Sequence, residues 1–386
     1  MSSRSFMLIA GEPSGDLLAA ELARALRREQ DGNASFFGAG GPNMAAAGVE
    51  LAFDLTRHAV VGLVEVLKRY GAIKRLFDAL VALALQRRPE TIVCVDFGGF
   101  NRRFARRIRW EIEVQRPAGW RPRIVQYVSP QVWASRPGRA RAMARDFDLV
   151  LAIFAFEKAW YAQRVPSLNV EFVGHPLLDR HAAACTPAAA PGTDDDEPLL
   201  LLLPGSRVGE LTRHLPVMLG AFERVQAAQP GARGLLVVPD EPLARLARSF
   251  PAPARLEIQT GPVSDALRRA TIAIASTGTV TLECALFRVP TVALYKTSWS
   301  TYQIGRRIIQ VKYLAMPNIL ADQPLFPEFI QQQATPENIG RAALALLADG
   351  ARRRAIQERL GQLVATLGGP GASTRAAKAI LQLERR

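Results

Sequence analysis

The chain has 386 residues, of which 49% are hydrophobic, so it is long enough for about two or three domains that each bury a core. No apolar run reaches the ~18 residues that a membrane-spanning helix needs, so the sequence predicts no such helix. The formal net charge of +14 favours an anionic partner, whether nucleic acid, an anionic membrane surface or a phosphorylated substrate.

Much of the positive charge lies in two arginine-rich stretches, 102–109 and 136–145. Phe100, Phe104 and Ile108 recur every four residues in and beside the first stretch, which predicts an amphipathic helix with a buried seam and solvated arginines. The sequence has no helix-turn-helix or zinc-finger pattern, so we predict no nucleic-acid partner.

Cysteine and histidine spacing indicates neither a metal site nor a disulfide framework, because the three cysteines are far apart and the four histidines do not complete a ligand set with them. We therefore predict no metal and no cofactor. The first residues pass directly into a strand and a turn, FMLIAGEPSGD, without a signal-peptide cleavage pattern. That start predicts a cytoplasmic protein.

The first elements in chain order are a strand over 6–10, a glycine loop over 11–15 and a helix that Ser14 or Asp16 caps. A second strand over 35–38 runs into another glycine-rich loop, GAGGPNM. The apolar segment AVVGLVEVL that follows is either core or a surface that enters a membrane or holds acyl chains, since basic residues come directly after it.

Asp96 follows a buried strand predicted over 91–95. Ligands of open parallel α/β sheets bind at the carboxyl ends of the strands, so this position suits chemistry, although Asp96 can equally cap the arginine-rich helix. Further strands are predicted over 124–128, 149–154 and 170–173, and the last leads to His175.

A second α/β pattern begins after an Ala/Pro-rich linker over 181–198. Its strands are predicted over 199–203, 235–238, 255–259, 271–276 and 291–294, with helices through the C-terminus. The fold class is therefore α/β, with two doubly wound Rossmann-like domains facing each other. We place the N-terminal domain at 1–180, the C-terminal domain at 199–345 and the final helices at 346–386.

Two loops of the C-terminal domain have the features of an anion site. Thr277, Gly278 and Thr279 separate a strand from a helix start, where backbone N–H groups and the helix dipole favour a phosphate. Glu283, one turn on, can accept from a ribose hydroxyl or can be a solvated residue of an ordinary βαβ unit. Ser206 and Arg207 follow strand 199–203 at the same sheet edge, and an arginine can hold a diphosphate bidentately.

Eight short motifs, in order and nearly end to end, resemble those of the lipid-A-disaccharide synthase family. They are AGEPSGD (10–16), VGLVEVL (61–67), YVSPQVWA (127–134), FEKAWY (156–161), VGHPL (173–177), LLPGSR with Glu210, TGTVTLE (277–283) and PNIL (317–320). The resemblance implies the glycosyltransferase-B fold, with a uridine nucleotide on the C-terminal domain and the acceptor in the interdomain cleft.

The reaction implied by the resemblance joins UDP-2,3-diacylglucosamine to the 6-hydroxyl of 2,3-diacylglucosamine 1-phosphate, with inversion and without a metal. Asp96 matches the proposed catalytic base, and His175 is the second choice. The UDP-binding set implied is Ser206, Arg207, Thr277, Gly278, Thr279, Glu283 and Asn318. The residues implied near the acceptor are Ser14, Gly15, Asn101 and His175.

Four positions differ from the family pattern. The motif around the base commonly reads D-x-P-D-F-N, whereas Gly98 and Gly99 stand here for the Pro and the second Asp. We expect a looser loop that lacks the second carboxylate. Ser135 stands where a Trp is common, so an aromatic contact to the acceptor is absent, and Thr277 replaces the usual Ser.

Acylated substrates also explain the apolar segment and the arginine surfaces together. We expect a peripheral enzyme on anionic lipids at the cytoplasmic face of the inner membrane. The predicted membrane or acyl-chain contacts are Val61, Leu63, Val64, Val66 and Leu67. The C-terminal helices can pack back on their own N-terminal domain or swap into a partner in a homodimer, and the sequence favours neither.

Two alternatives remain at this point. A UDP-sugar 2-epimerase, or another glycosyltransferase-B enzyme, would use the same nucleotide site, but an epimerase substrate carries no acyl chains. A non-catalytic nucleic-acid-binding protein would explain the charge but not the combination of Arg207, Glu283 and the glycine loops.

Overall fold

The computed structural model describes residues 4–56, 70–115, 119–181 and 197–384. The chain divides into two compact units. The first comprises Met1–Arg180 with Leu367–Arg386, and the second comprises His181–Thr366. The predicted linker over 181–198 lies mostly outside the described residues, because 182–196 are not among them.

The first unit contains a seven-stranded sheet in the order β3-β2-β1-β4-β5-β6-β7, with every pair parallel. Its strands are β1 Arg4–Ala10, β2 Ala34–Gly40, β3 Glu50–Asp54, β4 Thr91–Val95, β5 Arg123–Tyr127, β6 Leu149–Ala152 and β7 Val170–Phe172. Its first helices are α1 Pro13–Glu29, α2 Pro42–Ala46, α3 Tyr70–Arg87, α4 Gly98–Gln115, α5 Val132–Ser135, α6 Ala140–Asp146, α7 Ala155–Arg164 and α8 Leu177–Arg180.

The second unit contains a six-stranded parallel sheet in the order β10-β9-β8-β11-β12-β13. Its strands are β8 Leu199–Leu203, β9 Arg233–Val238, β10 Leu256–Thr260, β11 Ile272–Ser276, β12 Thr291–Tyr295 and β13 Glu328–Ile330. Its helices are α9 Val208–Ala228, α10 Glu241–Arg248, α11 Ser264–Arg269, α12 Thr279–Leu286, α13 Trp299–Ile308, α14 Met316–Ala321, α15 Pro336–Ala348 and α16 Gly350–Ala365, and the chain ends with α17 Ala372–Glu384.

Strand β1 shows why the first sheet carries helices on both faces. Phe6 and Leu8 enter one hydrophobic cluster, and Met7 and Ile9 enter another on the opposite face, as the two-residue period of a strand requires. A strand buried on both faces reads as a continuous apolar run, which is the sequence of β1 and of β4. The predicted α/β class with two doubly wound sheets is thereby confirmed.

The predicted seam of the arginine-rich helix is also confirmed, since Phe104 and Ile108 of α4 are fully buried and Phe100 packs against the same cluster. The prediction that Ser14 or Asp16 caps α1 is wrong. That helix begins at Pro13 after Glu12, with no side-chain cap. Strands β3 and β13 were not predicted, because their half-buried residues do not form an apolar run.

Each sheet has one point where the strand order reverses, between β1 and β4 in the first unit and between β8 and β11 in the second. Loops that leave adjacent strands in opposite directions open a crevice at such a switch point, and ligands bind there. The segments that follow these four strands contain Ser14 in the first turn of α1, and Asp96, Arg207 and Gly278 in loops.

Helix α17 returns to the first unit and packs beside α1, where Ala376, Ala377 and Ile380 join its core. Helix α16, predicted as part of the same C-terminal segment, belongs to the second unit. A carboxylate fixes the start of α17, because Asp179 accepts hydrogen bonds from the N–H groups of three successive residues: Gly371, Ala372 and Ser373.

We expect Asp179→Ala to lower the free energy of unfolding of the first unit by about 1–2 kcal/mol, as loss of a helix cap does. Lys378→Ala is the control, because that exposed residue of the same helix makes only a 3.9 Å ion pair with Glu29 and should change stability by less than ~0.5 kcal/mol. Urea denaturation followed by far-UV circular dichroism measures both. Equal effects of the two substitutions would contradict an anchoring role for Asp179.

Candidate active site

The switch point of the first sheet brings Ser14, Gly15 and Asp96 together. The Ser14 side chain hydrogen-bonds the Asp96 carboxyl. A Cβ built on Gly15 would lie 3.5 Å from the Cβ of Asp96 and 3.5 Å from the Val95 carbonyl oxygen, so helix α1 comes within van der Waals contact of the end of β4.

The backbone at Asp96 is held in an unusual conformation. Asp96 and Phe97 have φ angles of 49° and 44°, the left-handed region that non-glycine residues seldom adopt. The Asn101 amide donates to the carbonyl oxygens of Val95 (3.2 Å) and Asp96 (2.6 Å), and Gln126 donates to the latter at 3.1 Å. Asn101 is fully buried, and its hydrogen bonds fix the backbone conformation of the turn.

The Asp96 carboxyl is half-buried, and this burial raises its pKa above the ordinary value, with the negative charge of Glu12 as a further cause. Hydrogen bonds from the Phe97 backbone and the Ser14 side chain act in the opposite direction. A carboxylate with a raised pKa is a stronger base than an ordinary aspartate, which is the property that general base catalysis requires.

Asp16, in the same GEPSGD motif, organises backbone instead. It is fully buried, and its two oxygens accept from the N–H groups of Gly41 (2.7 Å), Asn43 (2.9 Å) and Met44 (3.1 Å). These are the unpaired donors at the start of α2. Asp16 therefore fixes the glycine-rich loop after β2 next to the loop after β1.

Glu157, which the sequence reasoning did not single out, is a fully buried carboxyl beside the ends of β5 and β6. It accepts from Trp133 Nε1 (3.0 Å) and the Phe154 N–H (3.1 Å), and the Ser129 side chain and Ile153 backbone add two more hydrogen bonds. Burial raises the pKa of Glu157 to about 7, against these four hydrogen bonds. Its only sequence signal was membership of the FEKAWY motif.

His175 is buried and neutral. Its Nδ1 accepts from the Leu177 N–H at 3.1 Å, so the ring proton is on Nε2, and the ring contacts Phe154 with centroids 5.4 Å apart. Burial lowers the pKa of His175 to about 4, with the positive charge of Arg180 as a smaller cause. A histidine with that pKa is a weaker base than an ordinary histidine.

In the second unit, the loop after β8 is tied to the first turn of helix α9. Glu210 accepts from the Ser206 N–H at 3.1 Å and pairs with Arg207 at 3.4 Å. Gly205 has a φ of 117°, and a Cβ there would lie 2.4 Å from a Glu210 oxygen, so both conformation and space require glycine. Ser206 and Arg207 are exposed at the sheet edge.

The loop after β11 supplies the second half of this site. Gly278, with a φ of 138°, is the N-cap of α12, and it and Thr279 are exposed with their N–H groups at the positive end of the helix. Thr277 donates its N–H to Leu294 at 3.1 Å. Glu283 is half-buried one turn into the helix. A helix N-terminus beside an exposed arginine suits a diphosphate.

Asn318 lies behind this site and is fully buried. Its amide donates to the Phe326 carbonyl (2.7 Å) and to Glu328 (2.8 Å), and its oxygen accepts from the Phe326 N–H (2.8 Å). The side chain thus holds the 314–328 segment together, and a contact between Asn318 and a nucleotide stays a prediction.

His214 is a second residue that the sequence reasoning missed. Its Nδ1 lies 2.7 Å from the Pro204 carbonyl oxygen, and its Nε2 accepts from the Lys296 N–H at 3.0 Å. Burial lowers the pKa of His214, which keeps the ring neutral. The residue joins the loop after β8 to the end of β12, and nothing in a lone helical histidine signals such a role.

The predicted membrane or acyl-chain residues Val61, Leu63, Val64, Val66 and Leu67 lie outside the described residues. Within the described ranges, no helix is both long enough and apolar enough to cross a membrane. The same ranges contain no group of three or more His, Cys, Asp or Glu side chains arranged to hold a metal ion.

Two doubly wound units with polar loops at both switch points define a protein of the glycosyltransferase-B fold. The solved glycosyltransferase of kitacinnamycin aligns with a TM-score of 0.64 at 17% identity, covering 98% of this chain and 99% of that one. A putative UDP-N-acetylglucosamine 2-epimerase from Listeria monocytogenes aligns at 0.63 and 13% identity, covering 99% and 96%. At such low identity these likenesses concern the fold alone.

Sequence similarity identifies the family. A family model described as lipid-A-disaccharide synthetase matches residues 6–383. The lipid-A-disaccharide synthase of Myxococcus xanthus (strain DK1622) is 35% identical over 387 residues, covering 98% of this chain and 97% of the relative. The chain belongs to the lipid-A-disaccharide synthase family, and it is a glycosyltransferase of lipid A biosynthesis.

The raised pKa of Glu157 predicts a specific pH dependence of stability. The carboxyl ionises near 4.5 in the unfolded chain and near 7 in the folded one, so the folded state binds more protons between these values. The resulting stabilisation is fully present below pH ~4.5 and is lost as the pH rises through about 7, by up to about 3 kcal/mol.

Glu157→Gln, which does not titrate, should therefore lose this slope, as measured by urea denaturation at a series of pH values. Glu113→Gln on the exposed side of α4 is the matched control and should keep the wild-type slope. Parallel profiles for wild type and Glu157→Gln would show that the pKa of Glu157 does not differ between the folded and unfolded states, which would contradict the prediction.

Proposed function

We propose that this protein transfers 2,3-diacylglucosamine from UDP to the 6-hydroxyl of 2,3-diacylglucosamine 1-phosphate. The products are the β-1,6-linked disaccharide 1-phosphate and UDP, with inversion and no metal ion. The single observation that supports this best is the position of the candidate residues, which follow the two central strands at the switch point of each sheet. The family membership supplies the substrate class.

The base in this proposal is Asp96. Its carboxylate takes the proton of the acceptor 6-hydroxyl as that oxygen attacks the anomeric carbon of the donor and the bond to UDP breaks. The raised pKa favours proton acceptance, and the Ser14 hydrogen bond orients the carboxyl. Asn101 and Gln126 hold the turn rigid, so the carboxylate is already in position before the reaction. No free energy of reorganisation is then needed during proton transfer.

UDP binds to the second unit in this proposal. The exposed N–H groups of Gly278 and Thr279, together with Arg207, meet the diphosphate and the negative charge that develops on it as the bond to the sugar breaks. Glu283 accepts from a ribose hydroxyl. The Arg207–Glu210 pair is exposed and long, at 3.4 Å, so the arginine can turn to a phosphate at little cost.

The epimerase alternative is not favoured. Its support is a likeness of fold at 13% identity, whereas the relative named lipid-A-disaccharide synthase is 35% identical over nearly the whole chain. Incubation with UDP-N-acetylglucosamine alone separates the two activities, because only an epimerase forms a product without an acceptor.

We expect wild-type protein with both substrates in detergent and EDTA to form the disaccharide. Asp96→Asn should lower kcat by about 100-fold or more, the usual effect of removing a general base. Arg207→Ala should instead weaken UDP binding by about tenfold or more, because a charge-assisted hydrogen bond to phosphate is lost. Radiolabelled product formation and calorimetric titration with UDP measure these effects.

Asp96→Asn should still bind UDP with wild-type affinity, which shows that the variant is folded. If this variant were fully active, Asp96 would not be the base, and His175 would be the next candidate. A wild-type protein that binds UDP but needs a divalent cation for turnover would contradict the metal-independent mechanism.

We further propose that the enzyme acts as a peripheral protein on anionic lipids at the cytoplasmic face of the inner membrane. The support is the sequence AVVGLVEVL followed by basic residues, together with the acylated substrates. Replacing Val61, Leu63 and Val66 together by Ser should reduce co-sedimentation with anionic vesicles by roughly tenfold, because buried apolar area is lost.

The matched control is Val114→Ser, which removes an exposed valine of α4 that is 58% accessible. It should bind vesicles like wild type. If the triple variant co-sediments and turns over like wild type, the segment is not a membrane contact.

A further inference from the structure

A cavity of about 170 Å³ lies in the first unit, directly after the Asp96 turn. Gly98 and Gly99, the first two residues of α4, line this cavity. Ser135 and the three arginines Arg102, Arg136 and Arg139 line it as well. The cavity is therefore small, lined by side chains with positive charge, and adjacent to the proposed base.

The arginines around this cavity have no acidic partner in the described parts of the chain. Neither the Arg102 guanidinium nor those of Arg136 and Arg139 donates a hydrogen bond or forms an ion pair there. By contrast, Arg107 and Arg109 on the same helix α4 bind Glu111 at 2.6 Å and Asp148 at 2.7 Å. Arg103 and Arg106 of α4 and Arg141 of α6 also lack an acidic partner in the described ranges, so what distinguishes Arg102, Arg136 and Arg139 is that they line one cavity.

The unpaired arginines also repel one another. Burial lowers the pKa of Arg139, and the positive charges of Arg102, Arg136 and Arg103 lower it further. Like charges gathered without a counter-ion destabilise a fold, and a bound anion would remove that repulsion. Arginine guanidinium groups bind phosphate oxygens in a bidentate geometry, which makes a phosphate monoester the ligand that this set of donors suits best.

From this geometry we infer that the cavity lined by Arg102, Arg136 and Arg139 binds the phosphate group of the acceptor and so selects a 1-phosphorylated sugar. This inference rests on the proposed function. The span is appropriate, because Gly98 is two residues beyond Asp96, at most about 7 Å along the chain. In a hexopyranose C1 and C5 both flank the ring oxygen, so the 1-phosphate and the 6-hydroxyl lie on the same part of the sugar, and a base and a phosphate site this close together can engage both.

Three of the four positions at which this chain differs from the family pattern, Gly98, Gly99 and Ser135, line the cavity, whereas Thr277 does not. A carboxylate at position 99 would neutralise the positive charge of the arginines or repel an anionic ligand. A Trp side chain at position 135 would occupy part of the cavity. A Cβ on Gly99 would meet no atom within 4 Å, so the space beside it is open. Three of the residues that differ from the family pattern and the unpaired arginines thus line the same cavity.

A double cycle of enzyme and acceptor tests this inference. With wild type, kcat/KM should fall by about 10–100-fold when 2,3-diacylglucosamine replaces its 1-phosphate, because charge-assisted hydrogen bonds are lost. With Arg136→Gln/Arg139→Gln, removal of the phosphate should change kcat/KM by no more than about 3-fold, since the interaction is already absent. The KM for the UDP donor should stay at the wild-type value.

Arg141→Gln is the matched control, because it removes the same charge from an exposed residue of α6 outside the cavity. It should retain the full preference for the phosphorylated acceptor. An Arg136→Gln/Arg139→Gln variant that keeps this preference would overturn the inference. So would a rise in the KM for the donor alone, which would assign the cavity to the diphosphate. Failure of wild type to form disaccharide would instead overturn the proposed function, so the two failures are distinguishable.

Discussion

The turn that follows β4 is the constraint on which the first unit depends. Two consecutive non-glycine residues, Asp96 and Phe97, adopt left-handed backbone angles, and such a conformation persists only where its surroundings enforce it. The buried amides of Asn101 and Gln126 supply that enforcement through the Asp96 carbonyl oxygen. The turn directs the Asp96 carboxyl toward Ser14 and starts α4 at Gly98, so the proposed base and the arginine-lined cavity have one structural origin.

Acidic side chains in this protein bind main-chain N–H groups in several of its loops. Asp16 holds the start of α2, Asp179 holds the start of α17, and Glu328 accepts from the N–H groups of Leu314 and Ala315 at 2.9 and 3.0 Å. A carboxylate used in this way fixes the position of a loop relative to the sheet edge. It is also unavailable to neutralise an arginine elsewhere, which helps to explain how a cluster of unpaired arginines can exist beside the site.

Sequence patterns were sufficient for the α/β class and for Asp96 at the end of a buried strand, because strands buried on both faces leave a continuous apolar signal. They were not sufficient for Asp16 or Glu157. Whether a carboxylate faces a ligand or a backbone N–H depends on which loops the strand order brings together, and short motifs do not contain that order. Asn101 illustrates the same limit, since the structure shows it buried behind the turn.

The arginines behind the net charge of +14 fall into two groups, those that form ion pairs with carboxylates and those that do not. Arg109 and Arg180 pair with carboxylates that lie far away in the sequence and so contribute to packing between elements. A carboxylate partner offsets part of the field of such an arginine, so its attraction for a ligand is weaker. The unpaired arginines that line the cavity after Asp96 keep their full charge toward an anion in that space. A compact group of this kind fits one phosphate better than the extended backbone of a nucleic acid, which needs a continuous basic surface.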